Sequence, residues 1–138
     1  MNRGTLQSLS RERLRDARPL LANKRYVGAY YLAGYAIECA VKSCIAKQTQ
    51  RHDFPNKRIA TDSYTHDFEK LIAVAKLKQQ LADITSADKE FERNWSVVND
   101  WTAEHRYNSN ISSADAKSLY KAIASRRSGI LAWLRRYW

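Results

Sequence analysis

Glycine and proline are scarce in this chain, which has four glycines and two prolines among its 138 residues. Strand-like alternation of apolar and polar residues is also hard to find, whereas long segments repeat apolar residues at helical spacing. These absences argue against a loop-rich or mainly β architecture. We expect an all-α fold in a single domain over residues 1–138, since this length is typical of one domain.

Cysteine is scarce too, with only Cys39 and Cys44. Five residues apart on one helix, they would point to different faces and would not pair. No second Cys/His group stands at zinc spacing, and the glycines are too scattered for a phosphate-binding loop, so we expect no metal and no cofactor. The first residues lack the apolar core of a signal peptide, and no apolar run is long enough to span a membrane. A cytoplasmic location is expected.

Acidic residues are few, with 14 against 24 lysines and arginines, which gives a net charge of +10. A basic protein of this kind favours an anionic partner, of which nucleic acid is the commonest and an acidic protein the next. The polar stretch over residues 49–64 carries Arg51, Lys57 and Arg58. It is either a solvated connection or a loop that contacts phosphates.

The apolar periodicity predicts five helices, over about 6–23, 25–48, 65–81, 85–107 and from 112 or 113 to about 134. Pro19 predicts a kink or a boundary in the first helix. The second is apolar nearly all round, which indicates a central, buried helix. Thr65 is the expected N-cap of the third helix, and Ser112 or Ser113 that of the last.

Glu38 interrupts the apolar run AIECAV of the second helix. A buried carboxylate needs a cationic partner or takes up a proton. Lys42, four residues further on, is placed to pair with it, and Arg106 is a candidate from another helix. Glu38 is therefore either half of a structural ion pair or the polar floor of an active cleft.

The stretch WTAEHRY, residues 101–107, gathers polar residues behind a tryptophan. On a continuous helix, Asp100, Glu104 and Tyr107 would share one face. His105 is a candidate general base, with Arg106 beside it to meet charge developing on a phosphate. Alternatively, these side chains only cap the end of the helix.

Four runs of the chain together resemble the HEPN domain, a small helical domain found beside minimal nucleotidyltransferases, in toxin–antitoxin and defence systems, and in RNA-processing proteins. The runs are RLRDARPLLANKRYVGAYYLAGYAIECAVKSCI, SYTHDFEKL, WTAEHRY and LYKAIASRRSGILAWLRRYW. The resemblance covers nearly the whole chain. It implies an up-and-down bundle of four to five helices that often forms a homodimer.

Many members of that family are metal-independent endoribonucleases, so the resemblance implies attack of a 2′-hydroxyl on the adjacent phosphate, with a cyclic phosphate left behind. Their motif is an Arg, four to six residues, and then His-x-Tyr. His105 and Tyr107 match the second half of the motif. The positions expected to hold the Arg are occupied by Asp100, Asn99 and Val98.

Glu38 and Lys42 match a Glu-x-x-x-Lys pattern found on the second helix of some nuclease members. The resemblance thus predicts an RNA-directed protein with a degenerate or rearranged nuclease site. In it, His105 is the base and Arg106 carries the charge-stabilising role. Tyr107 and Glu38 assist them, with Glu104, Asp100 and Lys42 around them.

Two other functions stay open at the level of sequence. One is a module that binds RNA or a nucleotide without cleaving it, through Arg51, Lys57, Arg58 and the C-terminal arginines. The other is a non-catalytic interaction subunit that partners a minimal nucleotidyltransferase, with Tyr107 as a site of modification.

Overall fold

A computed structural model describes residues 1–49, 56–107 and 110–138, with the Arg106 side chain outside the described part. Every regular element in these ranges is helical, which confirms the prediction of an all-α protein. The helices are α1 (Arg3–Ala22), α2 (Tyr26–Lys47), α3 (Lys57–Asp62), α4 (Phe68–Val74), α5 (Lys78–Ala87), α6 (Lys89–Asn99), α7 (Ser113–Ala124) and α8 (Ile130–Leu134). A 3₁₀ turn, Ala103–Tyr107, follows α6. None of the helices in these ranges is long and apolar enough to cross a membrane.

α2 is the central helix, as its apolar sequence predicts. α1, α4, α7, α8 and the 3₁₀ turn all pack against it. Ala33, Ala36 and Ala40 are fully buried, and their small side chains let the neighbouring helices approach closely. From α1, the Ser10 hydroxyl donates a hydrogen bond to the Ala36 carbonyl oxygen over 2.7 Å. These contacts place Glu38, on the same helix, inside the protein.

α1 continues through Pro19 to Ala22, so no helix boundary falls at this proline. Proline lacks a backbone N–H but keeps its carbonyl acceptor. The Pro19 carbonyl oxygen accepts hydrogen bonds from the Asn23 backbone N–H at 2.9 Å and from Asn23 Nδ2 at 2.8 Å. Lys24 then adopts a left-handed backbone conformation with φ of 61°. The turn into α2 thus begins after Asn23.

The third and fourth predicted helices are each interrupted by a local backbone feature. Asp67, and not Thr65, caps α4 by accepting the Lys70 N–H at 3.1 Å. Lys76, with φ of 58°, then separates α4 from α5. Asp88 separates α5 from α6, because its carboxylate caps α6 at the Phe91 N–H over 3.0 Å.

The basic stretch 49–64 and the predicted last helix also differ from expectation. Residues 57–62 form α3, with Asn56 as its N-cap, where a loop was predicted. The last helix is divided into α7 and α8 by residues 125–129. A Cβ atom on Gly129 would lie 2.0 Å from the Ser125 carbonyl oxygen, so this sharp connection requires glycine.

Ser112, one of the two predicted N-caps of the last helix, is the N-cap of α7. Its hydroxyl accepts the Asp115 N–H at 3.0 Å, and the Asp115 carboxylate accepts the Ser112 N–H at 3.3 Å. Because Ser112→Ala removes one half of this capping box, we expect it to lower the free energy of unfolding by about 1 kcal/mol. Urea unfolding followed by circular dichroism measures the loss, with Ser113→Ala as the control. Equal losses in both variants would contradict the cap.

Cys39 and Cys44 are buried, and both are unpaired thiols, as their spacing predicts. Burial raises the pKa of Cys39 to about 11 and that of Cys44 to about 12. Both thiols are therefore protonated near neutral pH and have little nucleophilic character. They belong to the core and take no part in the chemistry considered below.

Candidate functional site

The carboxylate of Glu38 lies in the interior with only 3% of its side chain exposed, and both its oxygens are bound. Lys42 Nζ donates to Oε1 at 2.8 Å, one helical turn further along α2. His66 Nδ1 lies 2.7 Å from Oε2 and comes from the segment before α4. The predicted Glu38–Lys42 ion pair is therefore present, with a histidine as its third member. A buried carboxylate with two cation-capable partners fulfils the requirement that buried charge be paired.

His66 is the most exposed member of this cluster, with 55% of its side chain exposed against 24% for Lys42. An ionised carboxylate only accepts hydrogen bonds, so Nδ1 carries the hydrogen in the contact with Glu38. The neutral ring then has its lone pair on Nε2, and the protonated ring has an N–H there. Because Glu38 fixes the ring orientation and the tautomer, His66 is arranged as an acid–base group.

His66 lies on one wall of an open groove of about 530 Å³. Residues 65–69 form that wall, and residues 99 and 101–104 form the other. Asn99 Nδ2 donates to Glu69 Oε1 at 3.0 Å and so bridges the two walls. Glu104, exposed on the 3₁₀ turn, lines the same groove as His66. The groove is therefore lined by an imidazole and by a carboxylate from a second segment of the chain.

Trp101 holds the second wall in place. Its indole Nε1 donates to the Tyr30 carbonyl oxygen at 3.1 Å. Its ring stacks on Phe68 with centroids 5.2 Å apart, and it lies 6.1 Å from the Tyr31 ring. The indole occupies the space above Gly34, where a Cβ atom would lie only 2.2 Å from the ring. This packing is the reason for a glycine inside α2.

The continuous helix predicted through residue 107 is wrong, because α6 ends at Asn99 and the chain resumes as the 3₁₀ turn. His105 packs edge-on against Tyr30, with ring centroids 4.8 Å apart. Its Nδ1 lies 3.0 Å from both the backbone N and the carbonyl O of Thr102. These contacts tie the ring to the start of its own turn. Burial, followed by the charges of Asp115 and Asp100, raises the pKa of the neighbouring Tyr30 phenol, which stays protonated.

The other residues predicted around His105 do not share one helical face. Asp100 is an exposed residue at the C-terminal end of α6, where the helix stops. Tyr107 is 78% exposed at the end of the 3₁₀ turn. Arg106 lies in the turn, but its side chain is outside the described part. Because no continuous helix runs from residue 100 to residue 107, Asp100, Glu104 and Tyr107 do not share the helical face that was predicted for them. Of the three, Glu104 lines the groove.

Lys57 and Arg58, two of the predicted basic contacts, are not among the residues that line this groove. Lys57 and Arg58 are exposed on α3. Arg58 Nε lies 3.7 Å from Asp62 Oδ2, which neutralises part of its charge. Arg51 falls outside the described residues.

His66 is the site residue that the sequence analysis did not single out. It stands 28 positions from Glu38, so no local spacing rule connects the two. A signal was nevertheless present, since a buried carboxylate calls for polar partners and SYTHDFEKL places a histidine directly before the cap of a helix. No protein-family model matches this sequence, no curated protein is significantly similar to it, and no solved structure matches it.

Proposed function

We propose that this chain is a HEPN-like, RNA-directed domain that cleaves RNA without a metal ion, with His66 as an acid–base residue. The observation that carries the proposal is the bond from an exposed imidazole to a fully buried carboxylate, 2.7 Å long, beside an open groove. A buried Glu–Lys pair alone needs no exposed histidine to satisfy it. The net charge of +10 suits a polyanionic substrate.

The reaction assigned to this groove is transesterification at a phosphodiester. The 2′-hydroxyl oxygen attacks the adjacent phosphorus, and the bond from phosphorus to the 5′-oxygen breaks. Glu104, a carboxylate that also lines the groove, takes the hydroxyl proton, and protonated His66 gives its Nε2 proton to the leaving 5′-oxygen. The products are a 2′,3′-cyclic phosphate and a 5′-hydroxyl. Glu38 is the positioning residue that holds the imidazole through its Nδ1.

The carboxylates of Asp67 and Glu69 also line the groove and would repel the negative charge of a phosphate. A further cation is therefore required beside the phosphate. Both are partly engaged: Asp67 caps α4, and Glu69 accepts from Asn99. Arg106, two residues after Glu104 in the sequence, remains the sequence-derived candidate for this role. The homodimer implied by the resemblance would supply a second copy of the same groove and stays a prediction.

Cleavage of a 5′-labelled single-stranded RNA in EDTA tests this function. We expect His66→Ala to lower the cleavage rate by about 10²–10⁴-fold, the usual effect of losing a general acid. Glu38→Gln keeps the size of the side chain but loses the charge that orients the imidazole, and should lower the rate less. Arg106→Ala measures the charge-stabilising role.

Two further histidine variants control the test. His52→Ala makes the same chemical change in the segment 50–55 and should leave cleavage unchanged. Loss of cleavage in His105→Ala with full activity in His66→Ala would move the site to the 3₁₀ turn, as the family motif implies. Absence of cleavage in the wild-type protein would reject the nuclease function.

A non-catalytic interaction subunit is the second candidate, favoured by one observation. Tyr107 presents an aromatic side chain that is 78% exposed on a short turn. A side chain in that position is accessible to a partner nucleotidyltransferase. Transfer of a labelled nucleotide to the wild-type protein but not to Tyr107→Phe, by a minimal nucleotidyltransferase, would support this function over RNA cleavage.

A further inference from the structure

A cluster of arginines surrounds Trp138 on the side of α1. The guanidinium carbons of Arg11 and Arg135 lie 4.9 Å and 5.6 Å from the centroid of the Trp138 ring. Arg3 Nη2 donates to the Trp138 main-chain oxygen at 2.6 Å. One aromatic ring therefore contacts two guanidinium groups, each through a cation–π interaction.

The positive surface extends from this ring in two directions. Arg11, Arg15 and Arg18 are spaced at i, i+4 and i+7, so they form one stripe along α1. Arg126 and Arg135 line a shallow cleft of about 220 Å³ beside α1. We call Arg11, Arg15, Arg18, Arg126 and Arg135 the arginine surface. All five are exposed.

None of these five arginines makes an ion pair within the part of the chain that the structure describes. Arg13, on the same helix, differs in this respect, since it lies 3.6 Å from both Glu12 and Asp16. Between Asp115 and Trp138 the sequence contains six lysines and arginines and no acidic residue. Exposed positive charge of this density attracts an anion with several charges, and the α1 carboxylates Glu12 and Asp16 lie against Arg13.

The cleft within the arginine surface has an apolar floor. Leu14, Ile123 and Leu131 line it, with Arg126 and Arg135 beside them. An extended row of cations next to an apolar floor fits a single nucleic-acid strand, whose phosphates are charged and whose sugars and bases are less polar. A compact anion such as free phosphate would use only one or two of the five arginines.

We propose that the arginine surface binds the phosphate backbone of a single RNA strand, independently of sequence. The inference rests on the proposed function insofar as RNA is the shared ligand, but it uses none of the residues of the groove. The surface holds the strand, while the groove acts on one phosphodiester.

Binding of a labelled 2′-O-methyl RNA measures this surface separately from cleavage, because that strand lacks the attacking hydroxyl. We expect Arg11→Gln with Arg135→Gln to lower the affinity about 10-fold at low salt. The dependence of log K on log salt should become shallower by about 1.4, at about 0.7 for each lost phosphate contact on a single strand. Fluorescence anisotropy over a series of KCl concentrations gives both quantities.

Two matched double variants distinguish charge from packing. Arg11→Lys with Arg135→Lys keeps both charges and should retain most of the affinity and the salt dependence. Lys89→Gln with Arg93→Gln removes two positive charges from α6 and should change binding much less. Equal losses in the glutamine and lysine variants would overturn the proposal, as would an equal loss in the α6 variant. An unchanged affinity in the glutamine variant would also overturn the proposal. That result would not reject the nuclease function, which the cleavage assay tests separately.

Discussion

Gly34→Ala is expected to lower the free energy of unfolding by about 3 kcal/mol, an unusually large loss for the addition of one methyl group. The added Cβ would lie 2.2 Å from the Trp101 indole. The indole has no room to move, since it is 2% exposed, hydrogen-bonded to the Tyr30 carbonyl and stacked on Phe68. The gain in helix propensity from glycine to alanine, about 1 kcal/mol, offsets only part of this strain.

Gly28→Ala is the matched control, because it makes the same change on the same helix. A Cβ atom at Gly28 would meet only the Leu20 side chain, at 3.4 Å, which is an ordinary contact. The gain in helix propensity from glycine to alanine is then not offset by strain, and this variant should be more stable than the wild type by up to about 1 kcal/mol. Urea unfolding monitored by circular dichroism should therefore give changes of opposite sign for the two glycines.

A double-mutant cycle assigns the effect at Gly34 to the indole. Trp101→Leu removes the ring, so Gly34→Ala should cost much less in that background, with a coupling energy of about 2 kcal/mol. A cost that is unchanged without the indole would show that another contact is responsible. The same variants bear on the site, because Trp101 positions the wall of the groove that carries Glu104.

The sequence was sufficient to predict those features of the fold that depend on local pattern. The apolar residues on all sides of α2 predicted that this helix is buried. The i, i+4 spacing predicted the ion pair between Glu38 and Lys42. Ser112 was one of two predicted caps for α7. In the last two cases, the residues that determine the outcome lie within about one helical turn of each other, and in the first they all lie on one helix.

The break after α6 was not predictable in this way. Phe91, Trp95, Val98 and Trp101 follow helical spacing, so the pattern favoured a helix continuing to Tyr107. The chain instead leaves the helix at Asp100, and Trp101 packs above Gly34 and bonds to Tyr30. These partners lie about 70 positions earlier in the chain. A separation of 28 positions likewise kept His66 from being linked to Glu38.

Lys42→Met is expected to be the second most damaging substitution, with a loss of about 3 kcal/mol in the free energy of unfolding near pH 8. Methionine keeps the length and the apolar stem of lysine but removes its charge. The Glu38 carboxylate, 3% exposed, is then left with His66 as its one partner among the described residues. Removing one member of a buried pair costs more than the pair itself contributes, because the other charge stays buried.

Lys89→Met makes the same change in an exposed pair and is the control. Lys89 Nζ lies 3.7 Å from Glu92 Oε2, and both side chains are more than half exposed. Surface pairs of this kind contribute little, so the loss should stay below about 1 kcal/mol. A second variant, Glu38→Gln with Lys42→Met, removes the carboxylate charge as well and should recover part of the stability lost in Lys42→Met.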